Sequence, residues 1–190
     1  MLNYRKLKVS LLFTIAFSLT ACEVVDLDSA GKPIIPMSEE EAAALSNMQP
    51  KDIADKVWDE ILQDAKSTKT DLNDQLVDDK SYFIYLTGLI EQIDDKQNIL
   101  LRVGEQTVLI QAGSIIRGNA IRDASPIIRF DQFKNQIQFA RLARELNKKA
   151  VAGIPRIDGS WQGKNVEILT ALTIKNGQIQ DVVPLMINER

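Results

Sequence analysis

The stretch GSIIRGNAIRDASPIIRFDQFKNQIQFARLAREL, from Gly113 to Leu146, decides how the chain folds. It holds the densest set of positive side chains in the sequence together with the best helical pattern. Two similar pieces, Ile-Arg-Gly around Arg117 and Ile-Arg-Asp around Arg122, precede a helix that should begin near Asp131, with that carboxylate as its cap. The apolar residues of this helix recur at helical spacing and should face a sheet: Phe133, Ile137, Ala140, Ala143 and Leu146.

Strand patterns lie on both sides of this stretch. From Tyr82 onward a period of two replaces the helical period, and Gly88 predicts a bulge where a barrel strand bends. Asn176-Gly177 is the best short hairpin signal in the chain. We therefore expect five strands, at residues 82–90, 99–103, 107–111, 165–174 and 178–187.

The resulting order is three strands, one helix and two strands. This is the order of the OB-fold, a five-stranded Greek-key barrel whose helix lies between strands 3 and 4. We therefore predict an α+β protein in which residues 81–190 form an OB-like β-barrel domain. Some other small mixed sheet is the alternative.

A helical segment is expected over residues 38–80. Ser38 opens a capping box, Pro50 suits the first turn of a second helix, and residues 71–80 suggest one more short helix. The apolar stripe of the second helix consists of Ile53, Val57, Ile61, Leu62 and Ala65. Residues 23–80 carry 15 acidic and 6 basic side chains, whereas residues 81–190 carry 11 and 14, and this change of sign suggests two structural units.

The amino end has the pattern of a secretory signal. Basic residues precede an apolar run from Val9 to Leu19, which closes on Leu-Thr-Ala-Cys at Cys22. This ending fits the lipobox of bacterial lipoproteins, so we predict a signal peptide over 1–21, lipidation of Cys22 and a tether over 22–37. An ordinary signal peptide is the alternative. The mature protein should be lipid-anchored to a bacterial cell-envelope membrane, facing the periplasm or the exterior.

Composition excludes several kinds of chemistry. The chain has no histidine, and its single cysteine, Cys22, is the predicted site of lipidation, which rules out disulfides, thiolate zinc sites, cysteine nucleophiles and histidine-based triads. We therefore predict no catalytic residue, no metal ligand and no cofactor. Without residues 1–21 the chain carries 20 basic and 26 acidic side chains, a net charge of -6 that disfavours general binding to nucleic acid or to an anionic bilayer.

The central stretch and one loop supply the candidate site residues. Guanidinium, carboxylate and amide groups could hold an anionic or hydroxyl-rich ligand, and a loop tryptophan could stack on a sugar ring. The alternative is architectural: ion pairs would fix an irregular crossover, and the tryptophan would close the end of the core. Both interpretations stay open for Arg117, Arg122, Asp123, Arg129, Asn135 and Trp161.

The central helix also has a basic side. We expect its cations to form a solvated face, and docking of the acidic amino-terminal helices against them is the alternative. These cations are Arg141, Arg144, Lys148 and Lys149.

The run from Gly113 to Asn147 resembles the signature of an uncharacterised family of predicted bacterial periplasmic lipoproteins, domain of unknown function 2291. The matching pieces are Ile-Arg-Gly, Ile-Arg-Asp-Ala, Phe-Asp-Gln-Phe and Asn-Gln-Ile-Gln-Phe-Ala, and the likeness includes the lipobox, Trp58, Gly88 and the terminal hairpin. It implies a small helical unit joined to an OB-like barrel, a frequent setting beside sugar transporters of the binding-cassette type, and no established activity. The family often has longer insertions than this compact chain.

Three functions follow as hypotheses. The first is a non-enzymatic accessory or binding module on the membrane, serving sugar uptake through a partner protein. The second is direct binding of a small polar or saccharide ligand at the barrel end, although the short loops at 94–98 and 175–177 disfavour nucleic acid and long glycans. The third and most remote is a glycosidase that uses carboxylates such as Asp123 and Glu167.

Overall fold

The computed structural model describes residues 39–190. The predicted signal peptide, Cys22 and the tether lie outside the described residues. The helices are α1 (Glu39–Asn47), α2 (Pro50–Ser67), α3 (Ala120–Ala124) and α4 (Gln136–Gly153), with 3-10 turns at Phe130–Gln132 and Gly159–Trp161. The strands are β1 (Lys80–Ile93), β2 (Ile99–Val103), β3 (Gln106–Ile110), β4 (Asn165–Lys175) and β5 (Gln178–Glu189).

The five strands form one curled antiparallel sheet in the order β3-β2-β1-β4-β5. The long strand β1 pairs with β4 along Lys80 to Leu89 and with β2 along Leu89 to Ile93. The outer strands β3 and β5 approach each other at one end, where the Gln111 amide donates to the Val182 carbonyl at 2.9 Å. The predicted OB-like arrangement is confirmed, as a half-barrel with an open seam between β3 and β5.

The described residues form two hydrophobic clusters, one on each face of the sheet. The inner cluster takes residues from all five strands, including Ile84, Leu101 and Ile168. The outer cluster joins the helices to β1, β4 and β5, where Phe83 and Leu169 point outward. Burial on both faces explains why β1 and β4, unlike β3, lack a polar side.

Gly88 lies where β1 bends between its two partners. A Cβ built on Gly88 would fall on the backbone carbonyl oxygen of Arg102, so only glycine fits this crossing. The register shift itself lies between Ile90 and Gln92, slightly farther along the strand than predicted.

Helix α4 begins later than predicted. Around the 3-10 turn the Gln132 side chain accepts from the Arg129 amide and the Gln132 amide donates to the Arg129 carbonyl. The Asn135 side chain then accepts from the Gln138 amide as the cap of α4. The prediction of Asp131 as the cap was therefore wrong. Ile137, expected to face the sheet, is 64% exposed because the buried face of α4 is made by Leu142, Ala143, Leu146 and Ala150.

The predicted short helix at residues 71–80 was also wrong. Asp71 and Asp74 accept hydrogen bonds from nearby backbone amides, and such local bonds favour turns over helix. The segment forms turns, with Leu72 and Leu76 packed against the inner cluster. The helices over 39–67 follow the expected pattern: Ile53, Val57, Ile61 and Ala65 are all buried.

Substitution of Gly88 tests the crossing of β1 and β2. Gly88→Ala is expected to lower the free energy of unfolding by about 2 kcal/mol or more, because the added methyl group meets backbone that cannot move aside. Gly153→Ala is the control, since its Cβ would meet nothing within 4 Å, and it should not lower stability. Equal urea midpoints for Gly88→Ala and the unmodified protein would contradict the proposed role of Gly88.

Candidate functional site

The crossover from β3 to α4 places the basic residues of the central stretch. Helix α3 lies between β1 and α4 and buries Ala120, Ile121 and Arg122. Arg122 is only 8% exposed, and its guanidinium carbon lies 3.8 Å from the centre of the Phe139 ring. It also donates to Asp123 Oδ1 at 2.6 Å and to the Phe139 carbonyl. Arg122 thus joins α3 to α4 from within the fold.

A second junction links the crossover to β5. Gly118 has a φ of +91°, and a Cβ there would overlap the Asp181 carboxylate. Asn147 of α4 donates to the Gly118 carbonyl at 3.1 Å. Asp181 itself has a φ of 53° and lies where the β4–β5 register shifts. Burial raises the pKa of Asp181, nearby Asp123 raises it further, and Lys175 opposes the rise.

Arg117 lies at the surface of this junction. The Gln111 side chain forms two hydrogen bonds with the Arg117 backbone: it accepts from the Arg117 amide at 2.9 Å and donates to the Arg117 carbonyl at 3.0 Å. The Arg117 side chain is exposed, and no carboxylate pairs with it in the part of the chain that the structure describes. Its guanidinium is therefore available to an approaching molecule.

The open seam between β3 and β5 forms a cleft of ≈ 1030 Å³, which we call the seam cleft. One wall is made by residues 106–109 and Gln111, and the opposite wall by residues 177–182. The end is formed by Asp95, Lys96, Asn98, Ser114, Ile115 and Arg117. Its lining is mixed, with Leu109 at 51% exposure beside amides and the charges of Lys96, Arg117 and Asp181. This volume lies at the upper end of the range of small-molecule sites.

The end loop of the cleft is held in a fixed shape by Asp94. Its carboxylate accepts from the backbone amides of Lys96 and Asn98 and from the Asn98 side chain, all within 2.9 Å. Burial alone would raise the pKa of Asp94, but the hydrogen bonds from Asn98 and Lys96 outweigh it and hold the pKa below its usual value. The loop is therefore preorganised.

Backbone groups also face the cleft. In an antiparallel pair, every second residue turns its N–H and C=O away from its partner strand. The hairpin registers place Thr107 and Leu109 of β3, and Ile179 of β5, at these positions. Gln111 continues the same series and does bond across the seam, to Val182. Beyond that bond the two strand edges separate, and both present unpaired donors and acceptors to the cleft.

The other sequence-predicted residues lie apart from the cleft. Arg129 forms an exposed ion pair with Asp131 at 3.4 Å, and Asn135 caps α4. Trp161 is half-buried against the inner cluster, donates to the Arg156 carbonyl at 3.2 Å and lies under the Lys164 ammonium group. Of the six candidates, Arg122 and Asp123 form an ion pair with each other, and Arg117 is the one that lines the seam cleft.

Sequence reasoning missed Gln111 and Asp181. Gln111 directly follows β3 and Asp181 lies at the register shift of β5, and their importance comes from the meeting of these two strands, which are far apart in the chain. A polar residue within the apolar pattern of β5 was the one available signal for Asp181. Within residues 39–190, no three carboxylates converge as a metal site would require, and no helix has the length and hydropathy to cross a bilayer.

A family model for predicted periplasmic lipoproteins, domain of unknown function 2291, matches residues 74–188, more than half of the chain. The protein belongs to this family. The match confirms the predicted resemblance and the assignment as a lipid-anchored protein of the cell envelope. Cys22, the predicted site of acylation, precedes the matched residues.

The fold is similar to that of a crystallised OB-fold protein from Thermotoga maritima. The two are 20% identical with a TM-score of 0.50, over 76% of this chain and 99% of the other. At this identity the likeness concerns the fold alone. A comparison with curated proteins gave no match.

Replacement of Arg122 tests its contribution to stability. Arg122→Ala is expected to lower the free energy of unfolding by about 2 kcal/mol, because it removes a stacked guanidinium together with its bonds to Asp123 and the Phe139 carbonyl. Arg129→Ala is the matched control and should cost less than about 1 kcal/mol, since its ion pair is exposed. Denaturant titration of both variants gives the comparison, and equal losses would contradict it.

Stability should depend on pH through Asp181. The pKa of the Asp181 carboxyl is higher in the folded than in the unfolded protein, so the folded state binds this proton more tightly. The folded state therefore loses stability as the pH rises from the pKa of the unfolded state through that of the folded state. Asp181→Asn is therefore expected to raise the melting temperature at pH 7, with the gain vanishing below about pH 3. Asn tolerates the positive φ.

Asp158→Asn serves as the control for this pH dependence. Hydrogen bonds from Ser160 lower the pKa of Asp158, so neutralising it should not stabilise the protein at pH 7. A gain for both variants would indicate a general effect of net charge instead.

Proposed function

We propose that this lipoprotein is a non-enzymatic binding module that accepts an extended segment of a partner protein in the seam cleft as an added β-strand. The observation that carries the proposal is the pair of unpaired strand edges at Thr107, Leu109 and Ile179. A peptide in extended conformation would satisfy these backbone groups, and the side-chain pockets between them would select its sequence.

Within residues 39–190, the edge of β3 has none of the usual protections against such pairing. Soluble proteins commonly protect edge strands with lysine, proline or a covering loop. The segment from Gln106 to Ile110 contains neither charge nor proline, and Leu109 is half-exposed on it. An apolar side chain at every second position of the partner segment would pack against Leu109 and Ile179.

The resemblance to lipoproteins encoded beside sugar transporters indicates where the partner should be sought. A component of a binding-cassette uptake system that faces the same compartment is the partner class we propose. A tethered module meets membrane-bound partners at high effective concentration, so a cleft of modest affinity would suffice.

Direct binding of a small polar or saccharide ligand is the second candidate. It is favoured by the unpaired Arg117 guanidinium in the cleft, beside the amides of Asn98, Gln178 and Gln180. Amides and guanidinium groups bind sugar hydroxyls and anions well. A saccharide panel that raises the melting temperature of the unmodified protein, but not of Arg117→Ala, would favour this candidate.

Glycosidase activity has no support of this kind. Asp123 is paired with Arg122 and Glu167 with Arg190, each at 2.6 Å, so both carboxylates already have a structural partner. We therefore propose a role without catalysis.

Site-specific photocrosslinking in cells tests strand addition. A photoreactive residue in place of Thr107 should give a covalent adduct with one envelope protein, whereas the same residue at Arg156, exposed but outside the cleft, should not. Leu109→Pro removes an N–H that faces the cleft and should abolish the adduct while the β2–β3 pairing remains. Leu109→Thr keeps the N–H and should retain it.

Two results would contradict strand addition. An adduct that survives Leu109→Pro in a variant of unchanged melting temperature would exclude main-chain pairing at β3. Adducts of equal yield at positions 107 and 156 would indicate unspecific contact.

A further inference from the structure

The outward face of α4 carries a straight line of exposed side chains. Ile137, Arg141, Arg144 and Lys148 follow at spacings of four, three and four, so they share one side of the helix. All four are exposed, while the opposite side of α4 is buried against the sheet and α2. The face is therefore unoccupied by the residues that the structure describes.

Further cations border this line. Two adjoining shallow depressions, which share Gln49, Pro50 and Arg141, run between α4 and the corner from α1 to α2. Lys134 lines one depression and Lys51 the other. We call the four α4 residues with these two lysines the basic face.

Almost no negative charge offsets this face. Glu145 is the only acidic residue among the described residues that line either depression, and it is already paired with Lys148 at 2.7 Å. No ion pair involves Arg141 or Arg144 among the described residues. By contrast Lys149, on the neighbouring side of α4, pairs with Asp55 and lowers the pKa of that carboxyl through their hydrogen bond. Arg141 and Arg144, at the centre of the basic face, thus remain available to a partner outside the fold.

The position of the basic face in the chain indicates what that partner is. Helix α1 begins at Glu39, and 16 residues separate it from the predicted acylated Cys22. A chain of this length spans at most about 60 Å even when fully extended. Because α1 ends at the corner that borders the basic face, lipid anchoring keeps this surface within reach of the bilayer at high effective concentration.

We propose that the basic face rests on the surface of an anionic phospholipid bilayer, with Ile137 entering the headgroup region. The mature chain has a net charge of -6, so its overall charge would be repelled by an anionic bilayer. Only a local patch of cations can therefore produce this contact. None of the residues of the basic face lines the seam cleft, which stays open to its own partner. The inference does not depend on what the cleft binds.

Vesicle binding by the mature chain with Cys22→Ser, which has no lipid, tests the contact. The protein should bind vesicles of phosphatidylglycerol and phosphatidylethanolamine more strongly than phosphatidylcholine vesicles. It should dissociate from them at about 1 M salt, because the screening length there falls to about 3 Å. Each lysine or arginine near an anionic surface changes the partition by about 5-fold. Arg141→Gln with Arg144→Gln should therefore lower it by about 25-fold.

The matched control is Lys69→Gln with Arg156→Gln. Both residues are exposed and outside the basic face, and the change in net charge is the same. This control should retain nearly all binding, and the melting temperatures of both double variants should match the parent. Equal partition onto the two kinds of vesicle, or equal losses in the two double variants, would overturn the proposal.

Discussion

Strand β1 is the constraint on which the rest of the structure depends. It pairs with β4 on one side and β2 on the other, and its two faces are buried in different hydrophobic clusters. Ile84 and Leu86 fill the interior of the half-barrel, whereas Phe83 supports the helices outside it. A strand covered on both faces loses water from every side chain it buries, at about 25 cal/mol per Å² of apolar surface. The bend at Gly88 lets one strand serve both partners.

The same constraint leaves the seam open. The sheet curls around β1 until its edges meet at Gln111 and Val182, and beyond that bond β3 and β5 separate. The bulge at Asp181 and the glycine at position 118 hold the crossover against β5 at the end of the cleft. Backbone groups that a closed barrel would pair internally therefore line a cleft, which is why the proposed binding function lies there.

The helices turn the other side of the sheet into a separate surface. Arg122 stacks on Phe139 and links α3 to α4. The cations on the outward side of α4 are therefore not needed to hold these two helices together. A cleft made by strand edges and a basic face made by one helix are thus independent features of one small fold. Such a separation suits a protein that is held at a membrane and binds something else.

The sequence by itself determined the order of strands and helices along the chain, the hairpin at Asn176-Gly177 and the buried stripe of α2, because each follows from local periodicity and turn chemistry. It also determined the lipoprotein assignment, through the lipobox and the central motif, and the family match confirms that assignment. Local capping by Asn135, in place of Asp131, set the start of α4, whereas the remaining features come from tertiary structure. Tertiary structure alone decided which arginine is buried and where the seam opens, because those outcomes depend on contacts between segments that lie far apart in the chain.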